Sequence, residues 1–383
     1  MSPSLRFPEF TGEWKECVLG DYGKVVTGNT PPTKDIENYE NGTYLWASPA
    51  DLGTHKLISE TKTKLSSKGF TKTRPLSKGS VLVTCIGSTI GKTGMATREM
   101  STNQQINSIV VNENNDNEFV YYVVQSAFPH YLSSIAVQAV PIISKSSFEL
   151  LPSKRPSLQE QNKIGIFLSL LDERISTQHR LIEDLKKLSC AIVEKMFKQS
   201  KANGRLGDFI EQVSVRNKNG LYSNVLSVSN KQGFVKQSEQ FEDRTVASDD
   251  TSNYKIVKRN NFAYNPARIN VGSIARLTKF DVGIVSPMYV CFRTKASIIP
   301  EYMEAFFTSQ QFFYEMMKRL EGSVRLCLSY EGLCNIPVYI PDMNKQIAMG
   351  QNISLILSKI GLEIEYLGRL HQQKQYLLRK MFI

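Results

Sequence analysis

The chain contains an internal repeat, and that repeat constrains its fold more than any composition does. Leu151-Pro152 through Lys195-Met196-Phe197 aligns without a gap on Ile336-Pro337 through Lys380-Met381-Phe382, a constant shift of 185 positions. Each copy opens with a proline-bearing segment, continues as a long apolar-periodic run and ends in Lys-Met-Phe. Shorter matches extend the pattern. Leu19-Gly20-Asp21-Tyr22 answers Leu206-Gly207-Asp208-Phe209 at a shift of 187, and Ile90-Gly91-Lys92 answers Val271-Gly272-Ser273 at 181. A helical stretch with Glu118-Phe119, Ser126 and Tyr131 answers Glu301-Tyr302, Ser309 and Tyr314 at 183. Such shifts in chain order describe one architecture written twice, with small insertions and deletions in loops. Two copies are too few for a solenoid, whose units stack in threes or more. The expected fold class is therefore α+β: two similar mixed α/β domains at 1–150 and 204–335, separated by helical segments at 151–203 and 336–383.

The helical runs carry heptads. In the first, Leu168, Ile175, Ile182, Ser189 and Met196 occupy position a, and Ile164, Leu171, Gln178, Leu185 and Ile192 occupy position d. Shifted by 185, the same frame gives Ile353, Ile360, Leu367, Lys374 and Met381 at a, with Met349, Ile356, Glu363, Leu370 and Leu377 at d. Eight of ten are apolar in each run, and no proline follows Pro156 or Pro341 within them, which is the pattern of a coiled-coil seam. A helix of ~40 residues is ~60 Å long, more than a small domain can cover, so the two runs are expected to pair with each other. Antiparallel pairing places one domain at each end and gives the pair pseudo-twofold symmetry. The exceptions, Gln178 and Ser189 in one run and Glu363 and Lys374 in the other, are either polar layers that set register or partly solvated seam positions.

Composition narrows the partners. The 383 residues carry 47 Lys and Arg against 36 Asp and Glu, a net charge of +11, which favours a polyanionic partner over an acidic substrate. Six cysteines without a C-x-x-C pair and only four histidines argue against zinc and against a disulfide framework; reduced, mostly buried thiols are expected. No apolar run reaches a membrane span and the start lacks a signal-peptide core, so the expected location is the cytoplasm.

Within the two variable domains, strand candidates are Ser80–Ile86 and Asn107–Val111, answered by Asn261–Asn265 and Met288–Phe292. Gly87-Ser88-Thr89-Ile90-Gly91-Lys92-Thr93 resembles a phosphate-binding loop but has three residues between its glycines where that motif needs four. The second copy, Arg268-Ile269-Asn270-Val271-Gly272-Ser273, lacks the Lys-Thr pair, so a glycine turn presenting short polar and basic side chains is the better account.

Candidate DNA-binding residues in the first domain are Lys62, Lys64, Lys68, Lys72, Arg74, Ser88, Thr89, Lys92, Asn103, Gln104 and Gln105. In the second they are Arg216, Lys218, Lys231, Arg244, Arg268, Asn270, Arg276 and Lys279. Lysines and hydroxyls bind phosphates, while Arg, Asn and Gln can read base edges with two hydrogen bonds at once. Catalytic motifs are missing. Asn29-Thr30-Pro31-Pro32-Thr33 has an intruding Thr and no aromatic to hold a flipped adenine. Asp342 has no later acidic-x-Lys partner, and neither a G-x-G-x-x-G fingerprint nor an H-E-x-x-H helix occurs.

The opening Arg6-Phe7-Pro8-Glu9-Phe10 with Gly12 and Trp14, the Leu-Gly-Asp-aromatic start of each variable domain and the two proline-led helices ending in Lys-Met-Phe resemble the DNA specificity subunit of type I restriction-modification enzymes. The resemblance covers the whole chain. It implies two target recognition domains, each reading one half of a bipartite site in double-stranded DNA, and an antiparallel coiled coil between them. It further implies two modification subunits that methylate adenine and restriction subunits that bring nuclease and translocase activity. S-adenosylmethionine, ATP and Mg²⁺ would then belong to those partners, with no cofactor on this chain and no catalysis by it alone. Two rivals stand beside this reading: a coiled-coil adaptor that binds only proteins, and a self-sufficient DNA methyltransferase or nuclease.

Overall fold

The computed structural model describes residues 3–134, 142–198, 201–230, 232–237, 250–323 and 325–382. It is a mixed α/β chain with one long helix at Leu158–Lys198 and another at Met343–Met381. Two compact units divide it: Met1–Gln178 with Tyr366–Ile383, and His179–Glu365. No described helix is long and apolar enough to cross a membrane.

The first unit is built on a five-stranded sheet, in the order Gly23–Thr27, Ile106–Val111, Val81–Thr84, Thr93–Ala96 and Leu57–Ile58. Its central strand is buried along its whole length, and the two-residue period of a strand sends its side chains to two different cores. Val81 and Val83 join Tyr22, Ile109 and Phe119 on one side, while Leu82 joins Leu45, Leu52 and Met100 on the other. A three-stranded sheet, Thr63–Leu65, Tyr44–Ala47 and Ser101–Thr102, covers the second core.

The second unit follows the same logic with different strands. Ile210–Gln212, Val290–Thr294, Phe262–Tyr264 and Ile274–Arg276 form one sheet, and Gly233–Lys236, Val225–Ser229, Val282–Val285 and Lys255–Lys258 form another. Phe262 and Tyr264 enter the core that holds Phe292 and Tyr302, and Ala263 enters the one that holds Leu226 and Val285. Three of the four strand candidates fall on strands; the fourth begins at Val290 rather than Met288, because Met288 sits in a turn and is 61% exposed.

Each repeated motif has an identifiable physical task. In Leu-Gly-Asp-aromatic, the leucine (Leu19, Leu206) is fully buried and its amide donates to the carbonyl of Leu151 at 3.0 Å or Ile336 at 2.9 Å. The glycine admits a close neighbour: a Cβ on Gly20 would lie 3.3 Å from the Glu149 carbonyl, and one on Gly207 3.0 Å from Cys334 Cβ. The aspartate accepts from the backbone N–H three residues earlier, Val18 at 2.9 Å and Arg205 at 2.8 Å, closing a turn whose donors would otherwise be orphaned. The terminal Lys-Met-Phe places Phe197 against Tyr302 and Phe306, with ring centroids 5.3 and 5.2 Å away, and Phe382 against Phe119 at 5.6 Å. Arg6 reaches the buried Glu160 with two guanidinium nitrogens at 2.7 Å each, and Trp14 Nε1 donates to the same carboxylate at 3.2 Å. Asp342 accepts from the Lys345 N–H at 3.0 Å and so caps the second long helix.

Two departures from expectation have local causes. The Glu118 helix runs unbroken over Asn117–Ser134, but its counterpart splits into Pro300–Phe307 and Gln310–Met317. Ser309 causes the break by capping the second piece, its Oγ accepting from Phe312 N at 3.1 Å, while Glu194 accepts from Gln310 N at 2.7 Å. Its counterpart Ser126 instead spends its hydroxyl on the Leu378 carbonyl at 3.1 Å. Of the six cysteines only Cys85 and Cys291 are buried, so the expectation of mostly buried thiols is corrected; all six are free. Burial raises both buried thiols to about 12.

One contact absent from the sequence analysis ties each variable domain to its helix. Gln161 and Gln346, 185 positions apart, are each 1% exposed. Gln161 Nε2 donates to the Pro156 carbonyl at 3.2 Å while its Oε1 accepts from Asp116 N at 3.1 Å. Gln346 Nε2 donates to the Pro341 carbonyl at 3.0 Å and its Oε1 accepts from Ile299 N at 3.0 Å. Replacing either glutamine with leucine removes the side-chain partner of two backbone groups at Gln161 and of three at Gln346, the proline carbonyl bond being buried in both, and a loss of about 2 to 4 kcal/mol is expected for each. Chemical denaturation of the two variants, followed by tryptophan fluorescence and circular dichroism, checks this.

Candidate nucleic-acid interface

The two glycine motifs close β-hairpins. Gly87–Lys92 joins Val81–Thr84 to Thr93–Ala96, with Val83 opposite Thr93. Gly87 and Gly91 have φ of +97° and +90°, values that favour glycine. The amides of Ile90, Gly91 and Lys92 donate to the carbonyls of Gly87, Thr84 and Thr89. A phosphate-binding loop presents free amides at the start of a helix, so this strand-to-strand turn with spent amides cannot serve as one. Arg268–Ser273 likewise joins Phe262–Tyr264 to Ile274–Arg276, with Gly272 at φ +88°.

In the first unit the turn belongs to a continuous polar rim. Ser88 and Lys92 are exposed and Thr89 half-buried, and Lys92 makes no ion pair among the described residues. Gln105 sits beside Gly87, its Nε2 3.7 Å from where a Cβ would be. Its own amide is held by Asn103 Oδ1 at 3.0 Å, and Asn103 Nδ2 donates back to Gln105 Oε1 at 3.0 Å. Gln104 accepts from Thr30 Oγ1 at 2.5 Å, and Asn29 Nδ2 donates to the Lys72 carbonyl at 2.8 Å. Trp46 Nε1 donates to the Asn29 carbonyl at 3.1 Å, and Tyr39 and Asn38 bond the carbonyls of Pro31 and Pro32 at 2.8 and 2.9 Å. Asn29–Pro32, which the sequence offers only as a failed adenine motif, is thus a built edge of the rim, and Thr30 and Trp46 are positions the sequence analysis missed.

The lysines divide by partner. Lys68 pairs with Glu37 and Asp35, and Lys72 with Asp35 at 3.0 Å and Asn38 at 2.8 Å. These two ammonium groups, Lys72 first, hold the Asp35 carboxyl below its usual range. Lys64 pairs with Glu60 at 2.7 Å, and Lys62 is exposed next to that strand. Arg74 donates to the Thr27 carbonyl at 2.8 Å. The structure therefore joins Lys72, Arg74, Gln104, Gln105 and the glycine turn, whereas no described contact links Lys62 and Lys64 to that rim.

In the second unit Arg268 is exposed at the head of its turn and Asn270 half-buried within it. Lys279 reaches the Gln232 carbonyl at 3.4 Å, Arg216 donates to Asn253 Oδ1 at 3.0 Å, and Lys218 is exposed. Exposed Val271 and Met288 flank the group, with Asn265 Nδ2 3.8 Å from Met288 Sδ. Arg276 differs from the rest. Its side chain is 9% exposed and its guanidinium is committed to Glu301, Glu304 and Asn260. Burial pushes the Glu304 carboxyl up against the opposing pull of that guanidinium. Lys231 and Arg244 lie outside the described residues. Among the described residues no group of three or more His, Cys, Asp or Glu is placed to hold a metal ion.

Comparison with known proteins agrees with the resemblance drawn from the sequence. Residues 11–187 match the family described as type I restriction modification DNA specificity domain. The chain is 28% identical over 191 residues to the type I restriction enzyme MjaIX specificity subunit of Methanocaldococcus jannaschii, covering 48% of this chain and 44% of the relative. It is 28% identical over 180 residues to the HindI specificity subunit of Haemophilus influenzae, covering 44% and 39%. The matched stretch thus spans less than half the length of these relatives. The crystal structure of a type I restriction-modification S subunit from M. genitalium superposes with a TM-score of 0.64 at 18% identity, over 100% of this chain and 99% of that one, and shows a shared fold. Residues 11–187 are thus similar to that specificity-domain family.

The different surroundings of the arginines give a test independent of any ligand. Arg276→Met leaves two carboxylates without their cation and is expected to destabilise the protein by about 2 kcal/mol, discounted for the partial exposure of both glutamates. Arg268→Ala is expected to stay within about 0.5 kcal/mol of wild type. Thermal denaturation of the two variants side by side measures the difference.

Proposed function

We propose that this chain is the DNA specificity subunit of a type I restriction-modification complex, in which residues 1–150 and 204–335 are target recognition domains that each read one half of a bipartite site. The observation that carries this reading is the doubled hairpin turn, Gly87–Lys92 and Arg268–Ser273. Each stands on a domain clasped in the same way to a long helix. The framework repeats while the reading side chains differ: Ser88, Thr89, Lys92, Gln104 and Gln105 in one domain, Arg268, Asn270 and Lys279 in the other. Phosphate contacts from Lys62, Lys64, Lys68, Lys72, Arg74, Arg216 and Lys218 fit the same reading, since a lysine in a surface ion pair can exchange a carboxylate for a phosphate at little cost. Arg276 is left a structural role.

Internal duplication is supported by the paired tasks of Leu19 and Leu206, Gln161 and Gln346, and Phe382 and Phe197. The antiparallel coiled coil, with helical segments 151–203 and 336–383, is supported by contacts inside each unit. Leu168 and Ile175 share a core with Leu370 and Leu377 in one, and Val193 shares a core with Ile353 in the other. Exposed Ile166, Leu170, Leu355, Leu362 and Ile364 on these helices suit the docking of two modification subunits. On this reading the chain performs no chemistry alone. S-adenosylmethionine, ATP and Mg²⁺ act on modification and restriction subunits in the cytoplasm.

Sequencing of methylated bases in host DNA, with and without this gene, is expected to show a two-part adenine-methylated motif that disappears with the gene. A methylation pattern unchanged by deletion overturns the proposal. Removing one heptad from both helices shifts the domains by ~10 Å and is expected to shorten the unread spacer by about 3 bp without altering either half-site. Binding with the modification subunits present is expected to weaken steeply as salt rises, as counterion release demands. A flat response would favour the protein-only adaptor.

A further inference from the structure

One largely buried polar cluster in the first unit stands apart from the rim. Lys56, from the loop before Leu57–Ile58, bonds the Glu118 carboxylate, the Tyr122 hydroxyl at 3.2 Å and Ser169 Oγ at 3.0 Å. The Tyr122 hydroxyl donates to Asp172 Oδ2 at 2.6 Å, and Asp172 Oδ1 meets Lys374 Nζ at 2.6 Å. The Lys56 and Lys374 ammonium groups lie 5.2 and 5.5 Å from the Tyr122 ring centre. Tyr122 is fully buried, and the Asp172 and Lys374 side chains are 16% and 15% exposed. Burial, then the Asp172 charge, pushes the phenol far up, so it stays a donor. The cluster joins four elements of that unit: the loop, the Asn117–Ser134 helix and one segment of each long helix.

Its asymmetry is the informative point. Lys374 and Glu363 are both exceptions to the apolar heptads, and they find different partners: Lys374 takes Asp172, while Glu363 takes Lys359 one turn earlier on its own helix. At the repeat shifts, Tyr122, Asp172 and Lys374 become Ala305, Leu357 and Ser189, so those three positions of the second copy carry none of these groups. On the first helix, the a, d and e positions from 164 to 179 are Ile164, Gly165, Leu168, Leu171, Asp172, Ile175, Gln178 and His179. Asp172 is the only carboxylate among them.

We propose that Lys56, Tyr122, Asp172 and Lys374 form a one-sided register pin, which fixes the axial position of the second helix against the first and thereby the spacer length that the subunit accepts. This rests on the specificity-subunit reading above. These are positioning residues that need touch no base. Uniform apolar layers tolerate a slip by a whole repeat, whereas a buried charge with a single partner does not.

The test is Lys374→Met in the chromosomal gene, read by methylated-base sequencing, with Lys374→Arg and the neutral pair Asp172→Asn with Lys374→Gln alongside. Lys374→Met is expected to keep both half-sites and add methylated sites whose spacers differ from wild type by about 2 to 3 bp, one helical turn to one heptad. Lys374→Arg, which can still reach Asp172, is expected to restore the single spacer. A purely structural role would lower methylation at the one wild-type spacing and add none. That result in both Lys374→Met and the neutral pair, or a wild-type pattern in both, overturns the pin. A wild-type strain with no two-part motif would instead overturn the specificity-subunit reading itself.

Discussion

The buried side-chain amides of Gln161 and Gln346 hold the architecture together at its most demanding points. Where a long helix begins, the chain arrives from a proline-bearing segment that leaves a carbonyl pointing inward, Pro156 in one copy and Pro341 in the other. The variable domain leaves an N–H pointing at the same place, Asp116 or Ile299. The bond to the carbonyl is buried and the bond to the N–H part-buried, and an unpaired buried polar group costs more than a typical hydrogen bond returns. One glutamine satisfies both, because its side chain offers a donor and an acceptor a fixed distance apart. A turn later, Gly165 and Gly350 let the next helix approach: a Cβ on either would lie 2.9 Å from the Cβ of Glu118 or Glu301. With a paired amide and a missing Cβ at its base, each domain has little freedom to tilt on its helix.

That rigidity leaves the polar hairpin tips free to vary. The amides of Ile90, Gly91 and Lys92 are bonded within the hairpin and the strand below it is buried along its length, so the turn is held by its backbone rather than by the side chains of Ser88, Thr89 and Lys92. The same holds for Arg268 above the buried Ile269. Residues on a satisfied hairpin tip can be exchanged at little stability cost. The residue that breaks this pattern is instructive. Arg276 lies on the strand leaving the turn, and there a cation is drawn inward by Glu301 and Glu304.

What the sequence made legible follows the range of the interactions. Both long helices, the strands and the Leu-Gly-Asp turns depend on periodicity or on neighbours a few residues away, and they can be read directly. Lysine roles could not be read the same way. Lys68 and Lys72 differ from Lys92 only in having Asp35 and Glu37 within reach, more than thirty positions away in sequence. Thr30 and Trp46 escaped notice because their importance comes from Gln104 and Asn29 across a sheet edge. The glutamine clasp is a different kind of miss. Gln161 and Gln346 stand at the repeat shift, but polar letters near helix starts look like solvated surface until burial is known.

Polar exceptions in an otherwise apolar seam deserve the same care, because their meaning depends on which partner they find. Two amphipathic helices with Ile and Leu in most layers gain nearly equal burial in several registers, and two copies of one sequence sharpen that degeneracy. Breaking it needs an interaction that one alignment satisfies and its neighbours do not. In the observed alignment Lys374 meets the carboxylate of Asp172, whose other oxygen is held by Tyr122. Moved by one heptad, the facing e position would be Gly165 or His179, neither of which carries a carboxylate. Leaving a largely buried ammonium and its aspartate apart costs on the order of 3 kcal/mol, about a hundredfold in population. On the proposed pairing, the apolar layers provide stability, and the Lys374–Asp172 ion pair favours one alignment over its neighbours.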